Sequence, residues 1–304
     1  MQISDHYDGK RFFNLSDRHA KGLWDVLRWM VSRARQPWPV PCFYLGLTLC
    51  MAVSRPAFAE ITVTLRPETV HAFDEYAQSV EDQLDTRWKG NRPFLSVDES
   101  PEERNKVLKG AVYIRPGGPG NPIGIQHGLI HDWVGTIFIP DTTAQKVVDV
   151  LQDFNNHSKI YADIVQSRLI SRSDGEVSGE WRLRRTSPFL TLVLDVPEQE
   201  FYRKLSPGKW ICRAYAKNIS EIQNAGAKDE KKLPPGRDQG FLWRLYGYWS
   251  LQEMDGGVLT ECRTLSLTRD VPSALAWIAK PFLQSIPRES LAATLKSTRA
   301  AAVK

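Results

Sequence analysis

Apolar and polar positions follow two periods along the chain, and the governing period changes near residue 130. Within 67–88, Val70, Phe73, Tyr76, Ala77, Val80 and Leu84 recur at spacings of three and four, which predicts a helix opened at Pro67 or Thr69. Residues 89–130 keep no period and are rich in Pro, Gly and charge, with PGGPGNPIG at 116–124. They predict a loop-dominated linker with one short helix over 101–108. From His131 the pattern sharpens: HDWVGTIFIP (131–140) predicts a strand. Asp141-Thr142-Thr143 then caps a helix with Val147, Val148, Leu151 and Phe154 on one side, and a second short helix covers 156–163 with Ile160 and Tyr161 inward. Strands follow over 165–171, 179–186, 190–205, 210–222, 240–253 and 258–269. Last comes a helix from 272 or 273 to about 301, which Pro281 and Pro287 should kink or split.

One strand, short helices, six strands and a long helix predict an α+β domain. A curved antiparallel sheet of about seven strands would wrap around the C-terminal helix, with an interior suited to an apolar ligand. Three stretches carry a family resemblance: HDWVGTIFIPDTTAQKVVDVLQDFNNHSKIYADIVQSRLI (131–170), GFLWRLYGYWSLQEMDGGVLTECRTLSLTRDVP (240–272) and IAKPFLQSIPRESLAATLKSTRAAA (278–302). They resemble the START/SRPBCC superfamily, the helix-grip fold of birch-pollen-type allergens and polyketide cyclases, and within it exported bacterial START-like proteins. The resemblance spans more than half the chain and implies the helix-grip fold. It leaves function open among binders, transporters and enzymes.

Upstream, 40–53 (VPCFYLGLTLCMAV) is apolar, follows Arg33 and Arg35, and precedes Ala57-Phe58-Ala59. These are the parts of a secretory signal peptide over about 30–59, cleaved after Ala59, with 39–59 as its apolar and cleavage portion. The alternative is an uncleaved membrane anchor at 40–53, although that stretch falls short of the ~20 residues that span a bilayer. Residues 3–38 resemble the N-terminus of metallo-β-lactamase-fold hydrolases, with their H-[FY]-D-G-x-x-F-x-N opening. None of the six His forms the H-x-H that their metal centre requires, so no metal site is transferred. Residues 1–38 then read as a fusion remnant or an over-extended start. Leu23, Val26, Leu27, Met30 and Val31 make them a basic amphipathic segment that leaves room for contact with a membrane surface. The resulting division is 1–38, 39–59, a helix plus linker at 60–130, and the START-like domain at 131–304.

The net charge of +5 is uneven. Residues 1–59 carry eight Lys/Arg and four Asp, which leaves the rest at +1. A near-neutral body has no field to gather nucleic acid, and that partner is excluded. After cleavage only Cys212 and Cys262 remain; they sit in strands with another between them, which predicts buried thiols rather than a disulfide.

No G-x-S-x-G, C-x-x-C or H-E-x-x-H occurs, and neither a catalytic residue, a cofactor nor a metal is assigned. His131 and Asp132 are neighbours in a strand, face opposite ways, and cannot form a dyad. The Gly run at 116–124 lacks the phosphate-loop pattern and reads as a loop. Alternation puts Leu259, Glu261, Arg263, Leu265 and Leu267 on one face, where Glu261 and Arg263 are either a polar handle for a head group or cross-strand ion pairs on a wet face. Arg182 and Arg184 share a face and can clamp an acid or line a basic outer surface; Arg185 is a third charge in the same strand. Trp133, Tyr161, Trp243, Tyr246 and Tyr248 are further cavity candidates, with plain core as the alternative. Arg288 either reaches the cavity mouth or follows Pro287 in the first turn of a helix. The reading is an exported protein that binds or carries a lipid or other hydrophobic small molecule without turnover. The alternatives are an envelope interaction module with a vestigial cavity, and a cyclase- or hydrolase-type enzyme using cavity His, Tyr or Arg.

Overall fold

Seven long strands build one antiparallel sheet: β1 (Gly128–Pro140), β2 (Ile164–Ser173), β3 (Glu176–Thr186), β4 (Thr191–Ser206), β5 (Lys209–Ala216), β6 (Arg244–Met254) and β7 (Gly257–Arg269). The computed structural model describes residues 62–186, 191–270 and 276–303, of which 276–285 are described by backbone alone. The segments 1–38 and 39–59, with the expected leader, lie outside the described residues. The strand order is β2-β3-β4-β5-β6-β7-β1, so the first strand closes onto the last. Helix α3 (Ala144–Gln152) and the one-turn α4 (His157–Ile160) connect β1 to β2, and α5 (Ala276–Ala302) ends the chain. This is the α+β helix-grip arrangement that the element order predicts.

Local signals account for the elements. Thr143 caps α3 by accepting a hydrogen bond from the Lys146 N–H at 3.3 Å. Val147, Val148 and Leu151 then give α3 a buried face. Gly175 and Gly256 adopt φ of +73° and +82° in the β2–β3 and β6–β7 turns. The strand expected over 210–222 is two strands. β5 stops at Ala216, and Ser220–Gln223 pairs instead with Leu194 and Asp195 of β4. The backbone of α5 runs unbroken from 276 to 302, so Pro281 and Pro287 do not split it.

The two sheet faces bury different partners. The inner face packs against α3 and α5, with Ile137, Ile139, Val177, Trp181, Leu194, Val196, Cys212, Trp249 and Cys262 meeting Val147, Leu151, Leu291 and Leu295. The outer face packs against Phe73, Ala77, Val80, Leu84 and Trp88 of α1 (Pro67–Trp88) through Ile130, Ile211, Tyr246, Tyr248, Leu265 and Leu267. Cys212 and Cys262 are buried free thiols on strands flanking β6, each registered with Trp249. Two strand spacings of about 4.8 Å separate them, beyond disulfide reach.

Residues 89–130 lie against the sheet rather than trailing from it. Ser96–Glu99 forms a short 3-10 helix, followed by α2 (Pro101–Leu108). Tyr113–Pro116 and Ile123–Ile125 pair with β1. The Gly run at 116–124 wraps over Asp132, whose carboxylate receives Arg263 Nε at 2.9 Å, Arg263 Nη2 at 2.6 Å and the Tyr76 hydroxyl at 2.7 Å. Asp132 is wholly buried and Arg263 nearly so, which makes this a two-pronged ion pair out of reach of water. We predict that Asp132→Ala destabilises the protein by about 3–5 kcal/mol, because it strands a buried guanidinium. Urea unfolding would measure this, and a loss below about 1 kcal/mol would refute the structural role given to the pair.

Candidate functional site

The outer face claims most of the candidate residues. Glu261 accepts hydrogen bonds from the Ser96 N–H at 3.0 Å, the Ser96 hydroxyl at 2.7 Å and the Thr136 hydroxyl at 3.1 Å. It is a buried anchor for the 3-10 helix, neither a head-group handle nor part of a wet surface. Arg263 is held by Asp132, one strand away and also beneath α1. Tyr246 packs edge-on to Phe73 of α1, and the Tyr248 hydroxyl donates to Glu81 of α1 at 3.1 Å. Trp243, just before β6, buries its ring there and donates its indole N–H to Asp238 at 2.9 Å. Arg182 forms a two-pronged pair with Asp195 and also reaches Glu230, Arg184 is exposed, and so is Arg288. Arg185 points the other way, donating to Ser290 of α5 at 2.5 Å and pairing with Asp163 at 2.8 Å.

Of the candidates, Trp133 and Tyr161 face the interior. Tyr161 hydrogen bonds Thr298 of α5 at 3.1 Å, and Trp133 packs on the inner cluster. His157, which its place at a helix end would put on the surface, is buried between Phe154 and Tyr161 with Nε2 at 2.9 Å from the Leu151 carbonyl.

Strand register defines the floor of this interior. Residues directly opposite in antiparallel strands share a face, so Glu200, Ala214, Gly247, Thr264 and Trp133 form one row across β4, β5, β6, β7 and β1. The row is large at its ends and small in its middle. Elsewhere the inner face is filled: a Cβ at Gly179 would overlap the Phe154 ring, and one at Gly135 would come within 2.6 Å of Leu295. Among the described residues, a Cβ at Gly247 would meet only Ala214 at 3.6 Å and the Trp249 indole nitrogen at 3.8 Å, which are ordinary contacts. Leu245, Gly247, Thr264 and Trp133 are half-buried, whereas their outer-face neighbours Tyr246, Tyr248, Arg263, Leu265 and Val134 are buried. Among the described residues, the centre of the inner face is therefore the least covered part of the sheet.

Two carboxyls that the candidate set missed border this floor. Glu198 and Glu200 stand two residues apart on β4 and share the inner face with Leu194, Val196 and Tyr202. Glu198 accepts from the Trp181 indole N–H at 3.0 Å, and Glu200 accepts from the Tyr202 hydroxyl at 2.8 Å. No ion pair reaches either among the described residues. Burial raises the pKa of both, and for Glu200 the neighbouring Glu198 raises it further, to well above the carboxylate range. Burial also pushes the Tyr161 hydroxyl up. Glu198 and Tyr161 are half-buried. The signal was present in the strand reading: L-x-V-x-E-x-E-x-Y (194–202) puts two acids on an otherwise apolar face.

The arrangement sets two carboxyls with raised pKa values on an otherwise apolar face. Among the described residues no three His, Cys, Asp or Glu side chains converge as metal ligands would. Two surface grooves lie elsewhere, one of about 490 Å³ between α3, α4 and the end of α5, the other of about 340 Å³ beside Arg237 and Arg244.

No family model matches the chain, and no curated protein is similar to it in sequence. Solved START-like structures are similar to it in fold. The STAR-related lipid transfer protein of Xanthomonas axonopodis is 17% identical, with a TM-score of 0.41 over 64% of this chain and 99% of its own. Human STARD10 is 12% identical, with a TM-score of 0.39 over 69% and 81%. The Zhui aromatase/cyclase of a Streptomyces species is 11% identical, with a TM-score of 0.32 over 57% and 89%.

Glu200 makes pH a direct test of this interior. An acid whose folded pKa is raised keeps its proton in the folded state after the unfolded chain has lost it. Stability therefore falls as pH rises from the ordinary carboxylate pKa toward the folded one. We predict that the stability of Glu200→Gln relative to the unmodified protein improves steadily above about pH 4.5. Urea unfolding at several pH values checks this; a difference that does not change with pH would refute the buried-acid assignment.

Proposed function

We propose that the interior between the sheet and α5 binds a hydrophobic ligand, such as a lipid, and holds or carries it without turnover. The observation that carries this reading is the open row Ala214–Gly247–Thr264 on an otherwise filled inner face. Trp133 and Leu245 supply apolar walls, and Glu198, Glu200 and Tyr161 supply a small polar margin, the composition of a ligand site. The protein is exported in this reading, by the leader ending at Ala59. Among the described residues no helix is long and apolar enough to cross a membrane.

A second reading is favoured by one observation: Glu198, Glu200 and Tyr161 are three titratable groups gathered at one interior. A carboxylic acid kept protonated can act as a general acid on a bound substrate. The two readings differ in the fate of the ligand, which is unchanged when recovered from a carrier and converted by an enzyme.

Native mass spectrometry of the full chain, followed by solvent extraction, tests the proposal. We expect a co-purifying apolar mass that denaturation releases. Gly247→Leu should deplete that mass at least about tenfold while the protein still folds, because the added side chain fills open space rather than packed core. A clean unliganded mass in repeated preparations would sink the reading. N-terminal sequencing of the mature protein is expected to begin at Glu60, and an intact N-terminus on the exported form would overturn cleavage.

A further inference from the structure

The inner face carries a polar pair that neither the core nor the carboxyls explain. His131 and Trp133 are two residues apart on β1 and face the interior together. His131 Nδ1 and Trp133 Nε1 are both buried, out of reach of water, and neither has a hydrogen-bond partner among the described residues. Native proteins leave few buried polar atoms in that condition, and such atoms concentrate where something else completes them.

Their chemistry can be assigned. The Thr268 hydroxyl donates to the Arg269 carbonyl at 3.3 Å, so its oxygen is free to accept from His131 Nε2, 3.1 Å away. His131 therefore carries its proton on Nε2, and Nδ1 is a bare acceptor. Burial lowers the His131 pKa to about 4, which keeps the ring neutral near pH 7. The Trp133 indole can only donate. One acceptor and one donor thus belong to side chains two residues apart on one strand face, beside the small residues of the floor: Trp133 is registered with Thr264, and Thr264 with Gly247.

We propose that His131 and Trp133 together anchor a hydroxyl group on the hydrophobic ligand of this interior, an alcohol that donates to His131 Nδ1 and accepts from the Trp133 indole N–H. The inference rests on the ligand-binding reading above. An ether or ketone would leave His131 unsatisfied, a carboxylate would set a second acceptor against Nδ1, and an ammonium would offer the indole nothing. A single hydroxyl oxygen about 3 Å from each nitrogen suits side chains two residues apart, whose Cα atoms are about 6.6 Å apart along a strand.

The test compares 1-decanol with decyl methyl ether as probes of the full chain. Affinity is measured by calorimetry, and the Trp133 indole signal is followed by proton–nitrogen NMR. The expected result is binding of decanol at least about tenfold tighter than the ether, because the ether leaves a buried acceptor unpaired. The Trp133 indole proton should move downfield with decanol alone. Trp133→Phe, which removes the indole donor and keeps an aromatic ring, should reduce the preference for decanol over the ether to less than about twofold. Equal affinity with an unmoved indole signal overturns the anchor and leaves the cavity standing. Binding of neither probe overturns the cavity and the anchor with it. The NMR readout on the unmodified protein decides the matter even if the variant fails to fold.

Discussion

The buried pair of Arg263 and Asp132 is the constraint on which the outer half of the structure depends. Neither charge can stay away from water without a nearly complete set of partners, since the desolvation of an uncompensated ion amounts to several kcal/mol. The sheet supplies only the two charges. The rest comes from outside it: Tyr76 and Gln83 from α1, and the Gly117 carbonyl from the loop. Asn121 ties the same loop to the Asp132 backbone with bonds of 2.7 and 3.2 Å. Gly117 has to be glycine, because a Cβ there would overlap the Asp132 carboxylate. The Pro/Gly-rich composition of 116–124 is thus the shape of a cover for an ion pair.

That cover gives the two faces of the sheet different tasks. On the outer face every prominent acid is neutralised or capped. Asp132 meets Arg263, Asp85 meets Arg213 at 2.6 Å, Asp195 meets Arg182, and Glu261 gathers the N–H groups of the 3-10 helix. On the inner face, among the described residues, Glu198 and Glu200 accept from an indole and a phenol, and burial raises the pKa of both. Charges that build the fold are paired off on one side. Hydrogen-bonding groups that no ion pair reaches among the described residues remain on the other, around a row of small residues.

Most of the fold was legible in the chain. The helix at 67–88, the short helix at 101–108, the strand–helix–strand order after 128 and the final helix all stand within a few residues of where periodicity places them. The site was less legible, and Glu261 and Arg263 show why. Alternation correctly put them on one face with Leu259, Leu265 and Leu267, but period two is the same whichever face is inward. The choice depends on α1 and the 3-10 helix after it, which are over 150 residues away in sequence and cover that face together. The same ambiguity hid Glu198 and Glu200, whose strand offers an acidic pair on one side and Asp195 on the other.

The sequence by itself determined the elements, their order, and which residues travel together on each strand, because those follow from backbone periods and local turn chemistry. Only the tertiary structure decided which face became the interior and which polar groups lost water without gaining a partner. Burial is a property of what packs against a residue, and here that partner is a helix or strand distant in the chain.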